Sequence, residues 1–167
     1  MSFDSYAKVK GLFVLGITTS TIASGGLLFT SYVHVPGYVK NANDEALLDQ
    51  WQTMGAIGKS IVPPLALIAG AANLVNSYLT HTQPQHYRFM AAGLLSVAVL
   101  PYTVLFLGPT NVELAKRISK SQDRNPELKD QTSIQLIQRW ADRSAVRGFL
   151  LLASALLSFD GMLHLTF

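Results

Sequence analysis

A histidine at the edge of a long apolar stretch is the first residue of this sequence that suggests chemistry. His34 follows an uncharged run over residues 11–33 and stands two residues before the pair Pro36 and Gly37. An imidazole gains and loses a proton near neutral pH, which suits acid–base catalysis. The same position also suits a residue at the point where a helix leaves a membrane. His34 therefore marks either the mouth of a reaction site or only the end of a membrane helix.

Four further polar residues lie within apolar segments or at their ends, where such groups are costly. Asn73 and Asn76 are three residues apart and share one helical face, so they hold either a polar ligand or a hydrogen bond between helices. Lys59 and Arg147 lie near the ends of predicted helices on the same side as His34. Their side chains either reach a site or extend to the lipid headgroups.

Composition and motifs exclude several classes of site. The chain has no cysteine, which excludes disulfides, thiolate metal ligands and cysteine nucleophiles. His81 and His86 have neither the spacing nor the neighbouring carboxylate of a metal motif, so we expect no metal and no haem. The sequence has no glycine-rich phosphate loop, no dinucleotide fingerprint and no G-x-S-x-G elbow. Its net charge of +3 is dispersed, so nucleic acid is not an expected partner.

The apolar composition indicates a small integral membrane protein. Of the 167 residues, 49% are hydrophobic and 14% are charged. Because a helix needs about 20 apolar residues to cross a bilayer, the sequence predicts four spans within a single membrane domain over residues 1–167. The spans lie at about 11–33, 56–79, 89–107 and 146–165. The predicted fold class is therefore all-α, an integral membrane four-helix bundle packed through small residues.

The two larger connections between these spans are predicted to be partly helical. Residues 41–55, between the first and second spans, carry four apolar side chains at spacings that share one helical face. These are Leu47, Leu48, Trp51 and Met54. The pattern predicts a short interfacial helix. Residues 108–145, between the third and fourth spans, form a long, charged and partly helical loop with a polar turn at about 123–126.

The distribution of Lys and Arg predicts the orientation of the bundle. All of the 13 basic residues except Lys8, Lys10 and Arg88 belong to the first and third connections or to the adjoining helix ends. These two connections are therefore predicted to face the cytoplasm, and both termini the opposite side. The membrane would be of the endoplasmic reticulum type in a eukaryote and the plasma membrane in a bacterium.

Short motifs accompany the four predicted spans. They are Ser31 with Val35-Pro36 at the end of the first, Pro63-Pro64 in the second, Pro109-Thr110-Asn111 with Leu114 after the third, and Trp140 with Arg147, a W-x6-R pattern, before the fourth. Together they resemble the anthrone oxygenase-like family of membrane proteins, formerly a domain of unknown function. One position departs from the family pattern, because an asparagine often precedes the arginine by three residues and this sequence has Ser144.

The resemblance implies oxidation of an anthrone to an anthraquinone by O2 in aromatic polyketide biosynthesis, without a flavin, a metal or another cofactor. Deprotonation of the activated methylene gives an anthranolate, an electron-rich anion that can pass an electron to O2. The enzyme then needs a base, a partner for the oxyanion and an apolar pocket. On this interpretation His34 is the base and Arg147 stabilises the anthranolate.

The resemblance also implies a wall for a flat, hydrophobic aromatic substrate. We predict that the substrate-binding residues are Lys59, Asn73, Asn76, Tyr102, Asn111 and Trp140. The expected partners are the lipid bilayer, this substrate and O2, and a homo-oligomer is compatible with the sequence.

Two other classes of function fit the same residues. A cofactor-free isomerase or cyclase of a lipophilic biosynthetic intermediate would use the same base and oxyanion partner, but its product would keep the mass of the substrate. A non-catalytic membrane binding or scaffold protein would tolerate the loss of His34 and Arg147 together. In that case His34, Trp51 and Trp140 form only an interfacial belt.

Overall fold

The computed structural model of the protein describes residues 3–41, 44–121 and 131–165, and within these ranges the chain is helical and has no strand. The elements in chain order are α1 (Phe3–Phe29), the π-helical segment π1 (Thr30–His34), α2 (Val35–Asn41), α3 (Asp44–Leu79), α4 (His86–Tyr102), the π-helical segment π2 (Thr103–Leu107), α5 (Gly108–Ser121) and α6 (Gln131–Leu163). The prediction of an all-α protein is confirmed.

Among the described residues, four helical stretches are long and apolar enough to cross a membrane. They are Tyr6–Lys40, Ala46–Leu79, His86–Ser119 and Ser133–Leu163, with lengths of 31 to 35 residues. A helix satisfies its own backbone hydrogen bonds, which lipid cannot do, and about 20 residues suffice to cross the hydrocarbon layer. Each stretch is therefore longer than a simple span.

The four stretches form a closed ring of neighbours. Helix α1 packs against α3 and α6, and α4 packs against the same two helices, so the order around the bundle is α1, α3, α4, α6. Hydrogen bonds cross two of these interfaces. The hydroxyl of Ser24 on α1 donates to the carbonyl oxygen of Gly148 on α6 at 2.8 Å. The hydroxyl of Ser154 on α6 donates to the carbonyl oxygen of Ala92 on α4 at 2.7 Å.

Glycines set the closest approaches between helices. A Cβ added at Gly70 of α3 would lie 2.6 Å from Cγ2 of Val97 on α4. A Cβ added at Gly93 of α4 would lie 2.7 Å from Cγ of Leu74 and 3.1 Å from the carbonyl oxygen of Gly70. These distances leave no room for a side chain, so the α3–α4 interface depends on small residues, as is common in membrane bundles.

The predicted short interfacial helix is corrected by the structure, because its residues begin the single helix α3, which continues to Leu79. Leu47, Leu48 and Trp51 are buried. They belong to an apolar cluster, here called the head cluster, that joins α3 to the other helix ends. Its buried members are Val35, Tyr38, Leu47, Leu48, Trp51, Leu107, Leu114, Ile137, Trp140 and Ala141. The amphipathic face therefore packs on protein, and this contact keeps the helix continuous.

The third connection is also more helical than predicted. Helix α5 follows π2 directly and runs from Gly108 to Ser121, and α6 begins at Gln131 and continues through the fourth span. Leu114 of α5 and Ile137 of α6 are fully buried in the head cluster. The predicted polar turn at 123–126 lies outside the described residues.

The two π-helical segments place a wider turn within otherwise α-helical stretches. The N–H of Val35 donates to the carbonyl oxygen of Thr30, five residues earlier, and the N–H of Gly108 donates to Thr103 in the same way. A proline follows each segment after one residue. Proline has no N–H and its ring collides with the carbonyl four residues earlier in a regular helix, and a wider turn relieves this conflict. The two prolines are Pro36 and Pro109.

We expect Gly93→Ala to lower the free energy of unfolding by about 1–3 kcal/mol, because the new methyl group would press on Leu74 and on the backbone of Gly70. Gly11→Ala is the matched control, since nothing lies within 4 Å of a Cβ at that position. The measurement is thermal unfolding of the purified protein in detergent. Equal unfolding midpoints for the two variants would contradict the close approach of α3 and α4.

Candidate active site

A cavity of about 510 Å³ lies where the head cluster meets the next apolar cluster along the bundle. This second cluster, here called the middle cluster, contains Ala23, Leu27, Val62, Ala66, Val99 and Leu151. Leu107 and Trp140 line the cavity from the head cluster, and Val62 and Val99 line it from the middle cluster. Cavities of about 300–1,000 Å³ with mostly apolar walls are typical of small-molecule sites.

Arg147 of α6 is the buried cation of this cavity. Its side chain lines the wall, and the residue is only 8% exposed. One terminal nitrogen donates to the hydroxyl of Ser144 at 2.9 Å, and the other lies 3.5 Å from the hydroxyl oxygen of Thr103. The Nε atom has no hydrogen-bond partner. Across the described ranges no carboxylate forms an ion pair with Arg147. A buried cation without a counter-ion is costly, and it is well suited to receive an anion.

Two threonines at the starts of the π-helical segments also line the cavity. They are Thr30 at the start of π1 and Thr103 at the start of π2. The hydroxyl of Thr103 donates to the carbonyl oxygen of Val99 at 2.6 Å, which leaves its lone pairs directed away from that bond and available to Arg147. Sequence reasoning did not place either threonine in the site. A usable signal was present, because each threonine precedes a proline by six residues.

Lys59 and Pro63 of α3 lie one helical turn apart on the cavity wall. Pro63 has no N–H, so the carbonyl oxygen of Lys59 cannot receive the usual helical hydrogen bond. The missing helical hydrogen bond therefore lies between two residues of the cavity lining. Lys59 is an exposed residue that also contributes to the cavity lining, and its side chain carries an amine.

Comparison with known proteins relates this site to a family of enzymes. The sequence profile described as anthrone oxygenase matches residues 51–157, which is more than half of the chain. The chain belongs to the anthrone oxygenase family. The predicted family resemblance is confirmed, and with it the prediction of an oxygenase, an oxidoreductase. All of the predicted site residues except His34 lie within the matched range.

Similar fungal proteins extend over nearly the whole chain. An anthrone oxygenase of Claviceps purpurea is 28% identical, covering 91% of this chain and 88% of that protein. A noranthrone monooxygenase of Aspergillus flavus is 24% identical, covering 96% and 77%. An anthrone oxygenase of Aspergillus fumigatus is 24% identical, covering 95% and 96%. No solved structure matches this chain significantly.

The cavity of this anthrone oxygenase family member gathers half of the residues predicted for the site. Lys59, Asn111, Trp140 and Arg147 line it. The Trp140 ring is held edge-to-face by Trp51, with the ring centroids 6.4 Å apart and the planes at 83°. This contact fixes one flat wall of the cavity.

His34 and Tyr102 lie outside the cavity lining. His34 ends π1 with its side chain exposed, and its ring packs edge-to-face on Tyr38 at a centroid distance of 5.3 Å. Tyr102 is half-buried and stacks on Phe106 at 4.7 Å. The structure therefore does not bring the predicted base to the cavity that holds Arg147.

Asn73 and Asn76 are fully buried in the other half of the bundle, away from the cavity lining. The amide nitrogen of Asn73 donates to the carbonyl oxygen of Ala69 at 3.0 Å, within its own helix. The polar atoms of the Asn76 side chain have no partner among the described residues. The described part of the chain also contains no group of three His, Cys, Asp or Glu side chains with the geometry of a metal site.

We expect Arg147→Met to raise the free energy of unfolding by about 1–3 kcal/mol, because it replaces a buried, unpaired cation by an apolar side chain of similar length. Arg88→Met is the control, since Arg88 is partly exposed and pairs with Asp160 at 2.9 Å. Its loss should cost about 0–1 kcal/mol. The measurement is again thermal unfolding in detergent. Destabilisation by Arg147→Met would show that this cation is structural.

Proposed function

We propose that the protein is a membrane-embedded oxygenase that converts an anthrone-type aromatic polyketide to the anthraquinone with O2 and without a bound cofactor. The observation that carries the proposal is the guanidinium of Arg147, which is buried in the wall of an apolar cavity and has no carboxylate partner among the described residues. The names of the relatives supply the substrate class. Their similarity over most of the chain supports extending it to this protein.

Arg147 is suited to stabilise the anion on which the reaction depends. An anthrone carries a carbonyl group opposite an activated methylene. Loss of one methylene proton gives the anthranolate, whose negative charge lies largely on the former carbonyl oxygen. A fixed cation stabilises such an oxyanion far more strongly in an apolar cavity than in water. Arg147 therefore increases the fraction of bound substrate that is present as the anion.

Lys59 is assigned as the proton acceptor. Lys59 and Arg147 are the residues of the cavity lining that carry ionisable side chains. The side-chain nitrogen of Lys59 takes the methylene proton, and the resulting ammonium group adds a second positive charge near the anthranolate. This role replaces the one that sequence reasoning gave to His34, whose exposed ring lies outside the lining.

Oxygenation then proceeds with all atoms and electrons supplied by the substrate and O2. The anthranolate passes one electron to O2, and the two radicals combine to form a carbon–oxygen bond. The resulting peroxide takes a proton to give a hydroperoxide. Loss of the remaining proton from the same carbon, with cleavage of the O–O bond, leaves the quinone carbonyl and water. One oxygen atom of O2 enters the product, and no external reductant is needed.

The rest of the wall is assigned to substrate binding. Trp140 offers a flat surface against which a polycyclic ring system can stack. The Asn111 amide and the free carbonyl oxygen of Lys59 can bond to phenolic hydroxyl groups of the substrate. We place this end of the bundle on the cytoplasmic side, because the Lys and Arg residues of the two larger connections favour that orientation.

The test of the function is O2 consumption by purified protein in detergent with emodin anthrone, after dialysis against a metal chelator and correction for spontaneous oxidation. We expect quinone formation above background, with one atom of 18O2 in the quinone and the other in water. Arg147→Met should lower kcat by about 10²–10³-fold, whereas Arg88→Met should leave it unchanged. A product of unchanged mass, or no uptake with several anthrones, would overturn the proposal.

A pair of variants tests the proton acceptor. We expect Lys59→Met to lower kcat by about 10²-fold or more, the contribution expected of a general base. His34→Gln, in the same assay, should retain turnover close to that of the parent protein because the ring does not line the cavity. The opposite outcome would return the role of base to His34 and would require the cavity to extend past π1.

A further inference from the structure

The interface between α1 and α3 borders the cavity along part of its length. A Cβ added at Gly16 of α1 would lie 3.5 Å from Cβ of Ala72 and 3.3 Å from Nδ2 of Asn73, both on α3. A Cβ added at Gly26 would meet no atom within 4 Å. Gly26 lines the cavity and lies ten residues, or about 15 Å of helix rise, beyond Gly16. The two helices are thus in contact at Gly16, whereas Gly26 lies on the cavity wall beside open space.

Two isoleucines of α3 lie on the side of the helix that faces α1. Ile61 precedes Ala72 by eleven residues, which is about three turns, so both lie on the same side. Ile57 lies one turn before Ile61 on that side. Both isoleucines line the cavity, yet they are 54% (Ile57) and 49% (Ile61) exposed. Gly58, between them, also lines the cavity and has open space around its Cβ position.

An isoleucine of α1 also lines the cavity while remaining exposed. Ile22 lines the cavity and is 59% exposed. Side chains that belong to both a cavity wall and the outer surface mark an opening. The head end of the cavity is covered differently, because Leu107 and Trp140 line it there and are buried. Ile22, Ile57 and Ile61 thus mark an opening on the flank of the bundle, between α1 and α3, with an apolar rim.

We propose that this opening is a lateral portal through which a lipophilic substrate passes from the hydrocarbon layer into the cavity. Gly26 and Gly58 keep it wide enough for a flat polycycle. The proposal rests on the proposed function, because that function supplies a substrate that partitions into lipid. An apolar rim of isoleucines on a membrane-facing flank suits such a substrate, whereas a solute arriving from water would leave its hydration shell at this rim without compensation.

A fluorescence experiment tests the portal without any turnover. The chain has two tryptophans, so Trp51→Phe leaves Trp140 as the single emitter at the cavity wall. The protein is placed in phosphatidylcholine vesicles whose acyl chains carry bromine, a contact quencher. We expect strong quenching of the buried Trp140, because acyl chains reach the cavity through the portal. Gly26→Leu in the same background should remove most of this quenching.

Gly25→Leu is the matched control for Gly26→Leu. Gly25 is also exposed on α1 with nothing within 4 Å of its Cβ position, but it does not line the cavity. We expect it to leave the quenching unchanged. Equal quenching in the two variants would overturn the portal. Because the readout needs no reaction, a protein inactive on anthrones that still showed the expected difference would refute the proposed function and leave the portal standing.

Kinetics in vesicles give a second test. At fixed total anthrone, added lipid dilutes the substrate within the bilayer, so the rate should follow its mole fraction there and not its total concentration. Gly26→Leu should lower kcat/KM by about tenfold or more relative to Gly25→Leu, since it obstructs entry. A rate that ignores lipid dilution, together with equal kcat/KM in both variants, would show that substrate enters from water.

Discussion

Backbone groups inside a bilayer must find hydrogen-bond partners within the protein, and this constraint separates the bundle into two halves. In one half the helices are regular and approach closely at glycines such as Gly70 and Gly93. In the other half prolines and π-helical turns interrupt the hydrogen-bond ladders. Interruptions of this kind are tolerated at membrane depth only where they are enclosed by protein or face a cavity. The cavity and the irregular backbone therefore occur together.

The two halves have complementary roles. In the closely packed half, the hydroxyl of Ser154 bonds to the backbone of α4, and the glycines bring α3 and α4 into close contact. The irregular half contains two features that a stable bundle would avoid, namely a guanidinium without a carboxylate partner among the described residues and a carbonyl without its helical donor. Such features reduce stability, and proteins retain them mainly where function requires them.

Apolar runs mark the long helices, so the four stretches that are long and apolar enough to cross a membrane could be predicted from the sequence, as could the polar residues Lys59 and Arg147 within them. The face that a residue presents, and the point where a helix ends, depend on contacts distant in the chain. Leu47 lies in the continuous helix α3 and is buried in the head cluster with Ile137, which is distant in the chain. His34 illustrates a different limit, since it closes a π-helical segment whose wider turn shifts every following side chain away from the 3.6-residue period.

Trp140 and Arg147 both reach the cavity from one uninterrupted helix. Arg147 follows Trp140 by seven positions, which is about two turns and roughly 10 Å along the axis. The geometry of the continuous helix α6 thus sets the distance between the stacking surface and the cation. One residue inserted or deleted between them would rotate one partner by about 100° and remove it from the wall. Over the long divergence of this family, the number of residues in that interval should be preserved far more strictly than their identities.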